Sequence, residues 1–127
     1  MYVETTNEIE VKVHPFFVPE ESDPVTGRFL FGYQVTITNT GTTWAKLMTR
    51  HWIITDGNSH VEEVKGDGVV GLQPELGPGE HFEYTSACPL STPTGNMRGT
   101  YHMVDSQGHR LNIRIPLFFL RHPDTFH

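Results

Sequence analysis

Gly66, Gly68 and Gly71, with Asp67, Val69 and Val70 between them, fit the spacing G-x-G-x-x-G. In a dinucleotide-binding fold such glycines form a tight turn and let a pyrophosphate approach the N-terminus of the helix that follows. Here Pro74, Gly77, Pro78 and Gly79 come soon after, so no helix is expected to open at the motif and no crossover to a parallel strand can follow. The glycines are therefore expected to serve turns or bulges, where a residue without Cβ is needed. The functional alternative is a nest of backbone N–H groups around pyrophosphate or a nucleotide, which needs no helix. Against it stand the absence of a Lys-Ser or Lys-Thr after the glycines and the negative charge of Asp67.

His81 and Glu83 are two residues apart, so on a strand they share a face and would supply two ligands to one divalent cation. Phe82 and Tyr84 alternate with them, which makes a solvated strand face the plainer expectation. The chain has no His-x-His pair and no His-Glu-x-x-His run among its eight histidines. His51, between Arg50 and Trp52, and His102, beside Tyr101, read as hydrogen-bonded histidines at the edge of a core. Nucleophilic catalysis needs a nucleophile beside an oriented base. Cys88, before Pro89, reads as a small buried hydrophobe. Ser86 and Ser91 lack an elbow motif around them. No constellation for an enzyme emerges, and no cofactor is expected.

Alternating side chains are the strongest signal for the elements that would position these residues. Ile9, Val11 and Val13 alternate with Glu10, Lys12 and His14; Phe29, Phe31, Tyr33, Val35 and Ile37 do the same, as do Leu111, Ile113 and Ile115. That period of two belongs to half-buried strands. No window keeps a helical apolar stripe without interruption. Turn signals lie at 39–41, 56–58, 77–79 and 107–108. Strands are predicted over about 8–18, 28–39, 46–56, 59–64, 80–87, 95–105 and 110–119, seven in all. The expected fold is an all-β, immunoglobulin or fibronectin type III-like β-sandwich of antiparallel strands. Pro15 and Pro19 suggest that the first strand is an edge or bends. Residues 19–27 read as an acidic loop, 65–79 as the longest loop, and 121–127 as a loose tail. Trp52 is the expected buried tryptophan, with Trp44, Tyr84, Tyr101, Phe29, Phe31, Phe82 and Phe118 as further core residues. If Phe118-Phe119-Leu120 is exposed, it becomes a partner-docking patch.

The chain has 127 residues, the size of one domain, and a single cysteine, so no intramolecular disulfide is available. Its formal net charge of -6 and scattered basic residues disfavour nucleic acid as a partner. The N-terminus carries no signal-peptide pattern, and the longest apolar run, 115–120, is far short of the roughly 20 residues that cross a bilayer. A cytoplasmic protein without a membrane span is expected.

Arg50-His51-Trp52, the 66–71 motif followed by Gln73-Pro74, Phe82-Glu83-Tyr84-Thr85-Ser86, Cys88-Pro89-Leu90 and Met97-Arg98-Gly99-Thr100-Tyr101 occur in that order. Together they resemble the ApaG family, called CorD in some bacteria, over nearly the whole chain. The resemblance implies a stand-alone bacterial member with a fibronectin type III sandwich. It also implies an association with cobalt resistance and magnesium efflux, and an operon neighbour that hydrolyses diadenosine tetraphosphate. Related domains in eukaryotic F-box proteins and in a polymerase-delta-interacting protein are thought to mediate protein contacts. The reading that follows is a non-enzymatic binding module for an unknown protein partner. The alternative is a small-ligand or ion binder, with pyrophosphate or a nucleotide at Gly66, Gly68 and Gly71, or a divalent cation at His81 and Glu83.

Overall fold

The alternating runs form strands, and the turns between them fold the chain into two antiparallel sheets. The computed structural model describes residues 1–125. Nine strands occur in chain order: β1 (Tyr2–Thr6), β2 (Ile9–Phe17), β3 (Phe29–Asn39), β4 (Ala45–Asp56), β5 (Val61–Asp67), β6 (Glu75–Leu76), β7 (His81–Leu90), β8 (Thr94–Asp105) and β9 (Arg110–Arg121). One sheet has the order β1-β2-β3-β7. The other has the order β5-β4-β8-β9, with β6 beside β4. This is the expected all-β sandwich, with nine strands rather than seven. The two additional strands are short: β1 lacks a long apolar alternation, and β6 is two residues inside the predicted 65–79 loop. No described helix is long and apolar enough to cross a membrane.

The tight connections carry their own hydrogen bonds. At the β4–β5 turn, Asp56 Oδ1 accepts the N–H groups of Asn58 (2.8 Å) and His60 (3.0 Å). At the β8–β9 turn, Asp105 Oδ1 accepts those of Gln107 and His109, both at 2.9 Å. Such short side-chain acceptors satisfy turn N–H groups that the ladders cannot reach.

The inward faces of both sheets meet in one core. Val11, Val13, Val35, Ile37, Leu47, Tyr101, Ile113 and Phe118 are completely buried. Trp52 lies at its centre as expected, packed edge-on against Tyr33 (5.4 Å between ring centres), Phe118 (6.0 Å) and Tyr101 (6.3 Å). Aromatic rings prefer such tilted contacts because ring edges are positive and faces negative. Trp44 differs from its expectation: it lies in the β3–β4 connection, half-buried.

Two irregularities reset the alternation. β4 shifts register against β8 between Leu47 and Thr49, and β8 shifts against β9 between Met97 and Gly99. An extra residue in one strand reverses which side chains face inward beyond it. Ala45 and Leu47 point to the core before the β4 bulge; Arg50, Trp52 and Ile54 take the inward side after it, opposite Tyr101, Gly99 and Met97. The bulge therefore turns an arginine toward the interior.

β2 is an internal strand, contrary to the edge position that its proline suggested. β1 covers only Ile9 to Val13 of it, and Pro15 lies past the end of β1, where no neighbour needs its missing N–H. The acidic 19–27 segment holds two single 3-10 turns, Pro19–Glu21 and Pro24–Thr26. The predicted loose tail is a strand end at Arg121, followed by His122 packed edge-on against Phe17 (4.6 Å) and Phe29 (5.8 Å). Its last two positions, 126 and 127, lie outside the described residues.

The sandwich has two unlike flanks. On one, β1 meets β9: Tyr2 packs on Phe118 and Phe119, Glu4 pairs with Arg114 (3.2 Å), and the Thr6 hydroxyl accepts the Arg114 N–H. On the other, β5 and β7 end their sheets without meeting as a ladder.

Candidate functional site

A continuous groove runs between β5 and β7. One end, about 150 Å3, lies between Val61–Glu62 and Pro89–Leu90. The middle, about 290 Å3, has Glu62 and Val64 on one wall, Ser86 to Pro89 on the other, and Tyr33, Arg50 and Trp52 beneath. The far end, about 250 Å3, is closed by residues 69–71, with Tyr33, Arg50, Tyr84 and Ser86 again in the wall. Neighbouring segments share lining residues, so the three depressions form one channel along the flank.

Arg50 is the basic group in the middle of it. Its Nη1 donates to the carbonyl oxygens of Asp67 (2.9 Å) and Gly68 (3.0 Å). Gly66 pairs with Arg50 across the ladder, and a Cβ there would stand 2.8 Å from Nη1, so the absence of a side chain lets the guanidinium cross β5. The chain then reverses at Val70-Gly71. Val69 and Leu72 exchange N–H···O=C bonds of 2.8 Å on either side of this turn. Val70 (φ 44) and Gly71 (φ 80) both have positive φ, as a two-residue hairpin turn of the primed type requires. Gly68 (φ 62) precedes them and donates its N–H to the Met48 carbonyl at 2.9 Å. The three motif glycines thus serve a close approach, a left-handed position and a turn. The N–H groups of Gly68, Val69 and Leu72 are occupied within the protein, and the Asp67 and Gly68 carbonyls face the arginine.

Hydroxyl groups surround the guanidinium. Burial pushes the Tyr33 phenol above its ordinary range, against a hydrogen bond with Ser86 and the charge of Arg50. Tyr84 and Tyr101 share a hydroxyl–hydroxyl hydrogen bond, and burial raises both, with Arg50 again acting in the opposite direction. Burial, helped by the charge of Glu62, pushes the Cys88 thiol up to about 11. These groups are all neutral at neutral pH, so none is a counter-ion. Among the described residues no carboxylate forms an ion pair with Arg50, and its other nitrogens have no hydrogen-bond partner. The guanidinium thus keeps free donors beside neutral hydroxyl groups, with Glu62 in the middle wall of the groove and Asp67 at its far end.

The other candidates lie elsewhere. His81 and Glu83 do share the outer face of β7, both exposed, and Glu83 accepts a 2.5 Å hydrogen bond from Gln34. No group of three His, Cys, Asp or Glu side chains is placed to hold a metal ion among the described residues. His51 and His102 sit on the outer face of the second sheet, hydrogen-bonded to Glu63 (2.7 Å) and Thr49 (2.8 Å). Ser86 lines the groove and Ser91 its end, where His60 also lies, and neither serine is hydrogen-bonded to a histidine among the described residues. Phe118 and Leu120 are buried, while Phe119 and Leu117 are half exposed. Arg50 is the residue that sequence reasoning left out. The signal was available: placing Trp52 in the core assigns Arg50, two residues before it, to the same face.

A family model described as the ApaG domain matches residues 19–105. Protein ApaG of Bordetella pertussis is 54% identical over 120 residues, covering 94% of this chain and 92% of that protein. Protein ApaG of Mesorhizobium japonicum is 50% identical over 125 residues, covering 98% of this chain and 96% of its own. The crystal structure of the putative ApaA protein from Bordetella pertussis superposes with a TM-score of 0.89 at 52% identity, covering 98% of both chains.

Proposed function

The chain belongs to the ApaG domain family, and from that premise we propose that it is a non-enzymatic binding module that takes an extended segment of a partner protein along the β5–β7 groove. The observation that carries this reading is the pair of unpaired strand edges bordering one continuous channel. An added strand gains main-chain hydrogen bonds from an exposed edge and side-chain specificity from pockets beside it. β5 offers seven residues, enough for roughly 20 Å of extended partner at about 3.3 Å per residue. Its edge carries Glu62, Glu63, Lys65 and Asp67, charges that discourage indiscriminate pairing while leaving the backbone accessible.

The guanidinium with free donors and the hydroxyl groups in the groove wall support a binding role. The thiol of Cys88 is neutral and buried, and its one hydrogen bond goes to the neighbouring Pro89 carbonyl. A nest for pyrophosphate or a nucleotide at 66–71 is less favoured, because the N–H groups of Gly68 and Val69 already have protein acceptors. A divalent cation at His81 and Glu83 is less favoured too, since two exposed donors, one engaged by Gln34, make a weak set.

Photo-crosslinking tests the reading. A benzophenone side chain at Glu62 should capture a specific partner in cells, and one at Thr36 or Asn112, on the two outer faces, should not. Capture from the outer faces with none from the groove would overturn it.

A further inference from the structure

We propose that Arg50 forms a carboxylate-binding subsite in the groove, taking an Asp or Glu side chain or a chain-terminal carboxylate of the docked segment. This deepens the reading above and rests on the groove as the binding surface.

A guanidinium carries five N–H donors in a fixed fork. Nη1 is held by two carbonyls, which fixes the plane of the group, while Nε and Nη2 have no partner among the described residues. The guanidinium is partly exposed in the groove, so its free donors face water that an external anion can displace. Tyr33 and Ser86 place two hydroxyl groups in the same wall.

The rim selects the anion. Asp67 lines the far segment and Glu62 the middle one, so each charge on an incoming ligand meets two carboxylates. Arg50 attracts a phosphate more strongly than a carboxylate as well, but the two carboxylates outnumber the one guanidinium, so the extra charge of a phosphate is disfavoured. A carboxylate also matches the fork in two parallel hydrogen bonds. The aromatic walls of Tyr33 and Trp52 suit the short carbon stem behind it.

The test follows the Arg50 Nε–H resonance by NMR while acetate or inorganic phosphate is added at constant ionic strength. Acetate should shift Arg50 Nε–H and the Ser86 amide saturably, with a dissociation constant on the order of 10–100 mM, as expected for so small a ligand. Phosphate should bind more weakly. Glu62→Gln should tighten acetate several-fold by removing one repulsive charge. Arg50→Lys keeps the charge but loses the fork, and should abolish the saturable shift of the Ser86 amide; Ser86→Ala should weaken the Arg50 Nε–H shift with the Arg50 contacts to the hairpin intact. An unmoved Arg50 Nε–H at about 100 mM acetate, or phosphate binding the tighter of the two, would sink the subsite. The two readings fail separately. If crosslinking from Glu62 is undiminished in Arg50→Lys, the groove reading stands and the subsite falls. If acetate binds but crosslinks come only from the outer faces, the subsite stands and the docking reading falls. Once a partner segment is known, its free-acid and C-terminally amidated forms separate a terminal from a side-chain carboxylate.

Discussion

The two flanks of the sandwich face the same problem, the gap between two sheet edges, and solve it with opposite chemistry. Where β1 meets β9, ring contacts from Tyr2, a hydroxyl from Thr6 and the Glu4–Arg114 pair draw the edges together. Where β5 faces β7, the gap holds a cation, neutral hydroxyl groups and a thiol, with no ladder across it. Apolar burial stabilises a fold in proportion to area removed from water. A charge turned inward does not, unless something compensates it. The closed flank gains from burial, and under the proposed reading the open one keeps groups whose worth depends on a ligand.

The largest effect expected from that contrast is on the closed side. Phe118 is fully buried, touching Tyr2, Tyr33 and Trp52. Phe118→Ala should reduce stability by about 3–5 kcal/mol, the usual range for emptying an aromatic site. Truncating the half-buried Val64 on the open flank to Ala should reduce it by only about 1 kcal/mol. Urea denaturation of both variants measures the difference. Equal losses would mean that the open flank is as much a part of the core as the closed one.

The next effect sharpens the role of the hairpin that ends the groove. Gly68 has φ 62, and an added Cβ would run into the Leu72 carbonyl. Gly68→Ala should therefore destabilise by about 1–3 kcal/mol. Gly71 has φ 80 but open space around it, so Gly71→Ala should reduce stability by about 1 kcal/mol or less, from backbone conformation alone. Denaturation midpoints report both. Equal losses would show that conformation, not the close approach to Leu72, sets the Gly68 requirement.

The fold was readable wherever the alternation is long and unbroken, as in Ile9 to Val13 and Phe29 to Ile37. The inward positions of both runs are all buried. β1 escaped because Tyr2-Val3-Glu4-Thr5-Thr6 offers its partner one aromatic ring and little else, so its pairing with β2 is decided by tertiary contact. Pro89 did not end β7 where the prediction stopped, because an edge strand tolerates a residue without an N–H. The site was harder to read. The glycine spacing marked the correct hairpin, but a pattern of glycines reports backbone shape and not what the backbone holds. Arg50 acquires its place from a bulge at Met48, and a bulge has no fixed residue signature. A strict period of two carried from Leu47 would have put Thr49, His51 and Ile53 inside.

The smallest effect tests whether the closed flank is held by charge at all. Arg114 and Glu4 lie 3.2 Å apart, but the arginine side chain is 74% exposed. An exposed pair competes with water and is screened by salt, so its coupling is expected at about 0.2–1 kcal/mol. A double-mutant cycle with Glu4→Ala and Arg114→Ala, followed by urea denaturation, isolates that coupling from other losses. The value should shrink further in about 1 M salt, where the Debye length falls to about 3 Å. A coupling that is large and insensitive to salt would make the ion pair the closing device. The tyrosine and phenylalanine rings would then be secondary, and the two flanks would differ in how their charges are paired more than in how much apolar surface they bury.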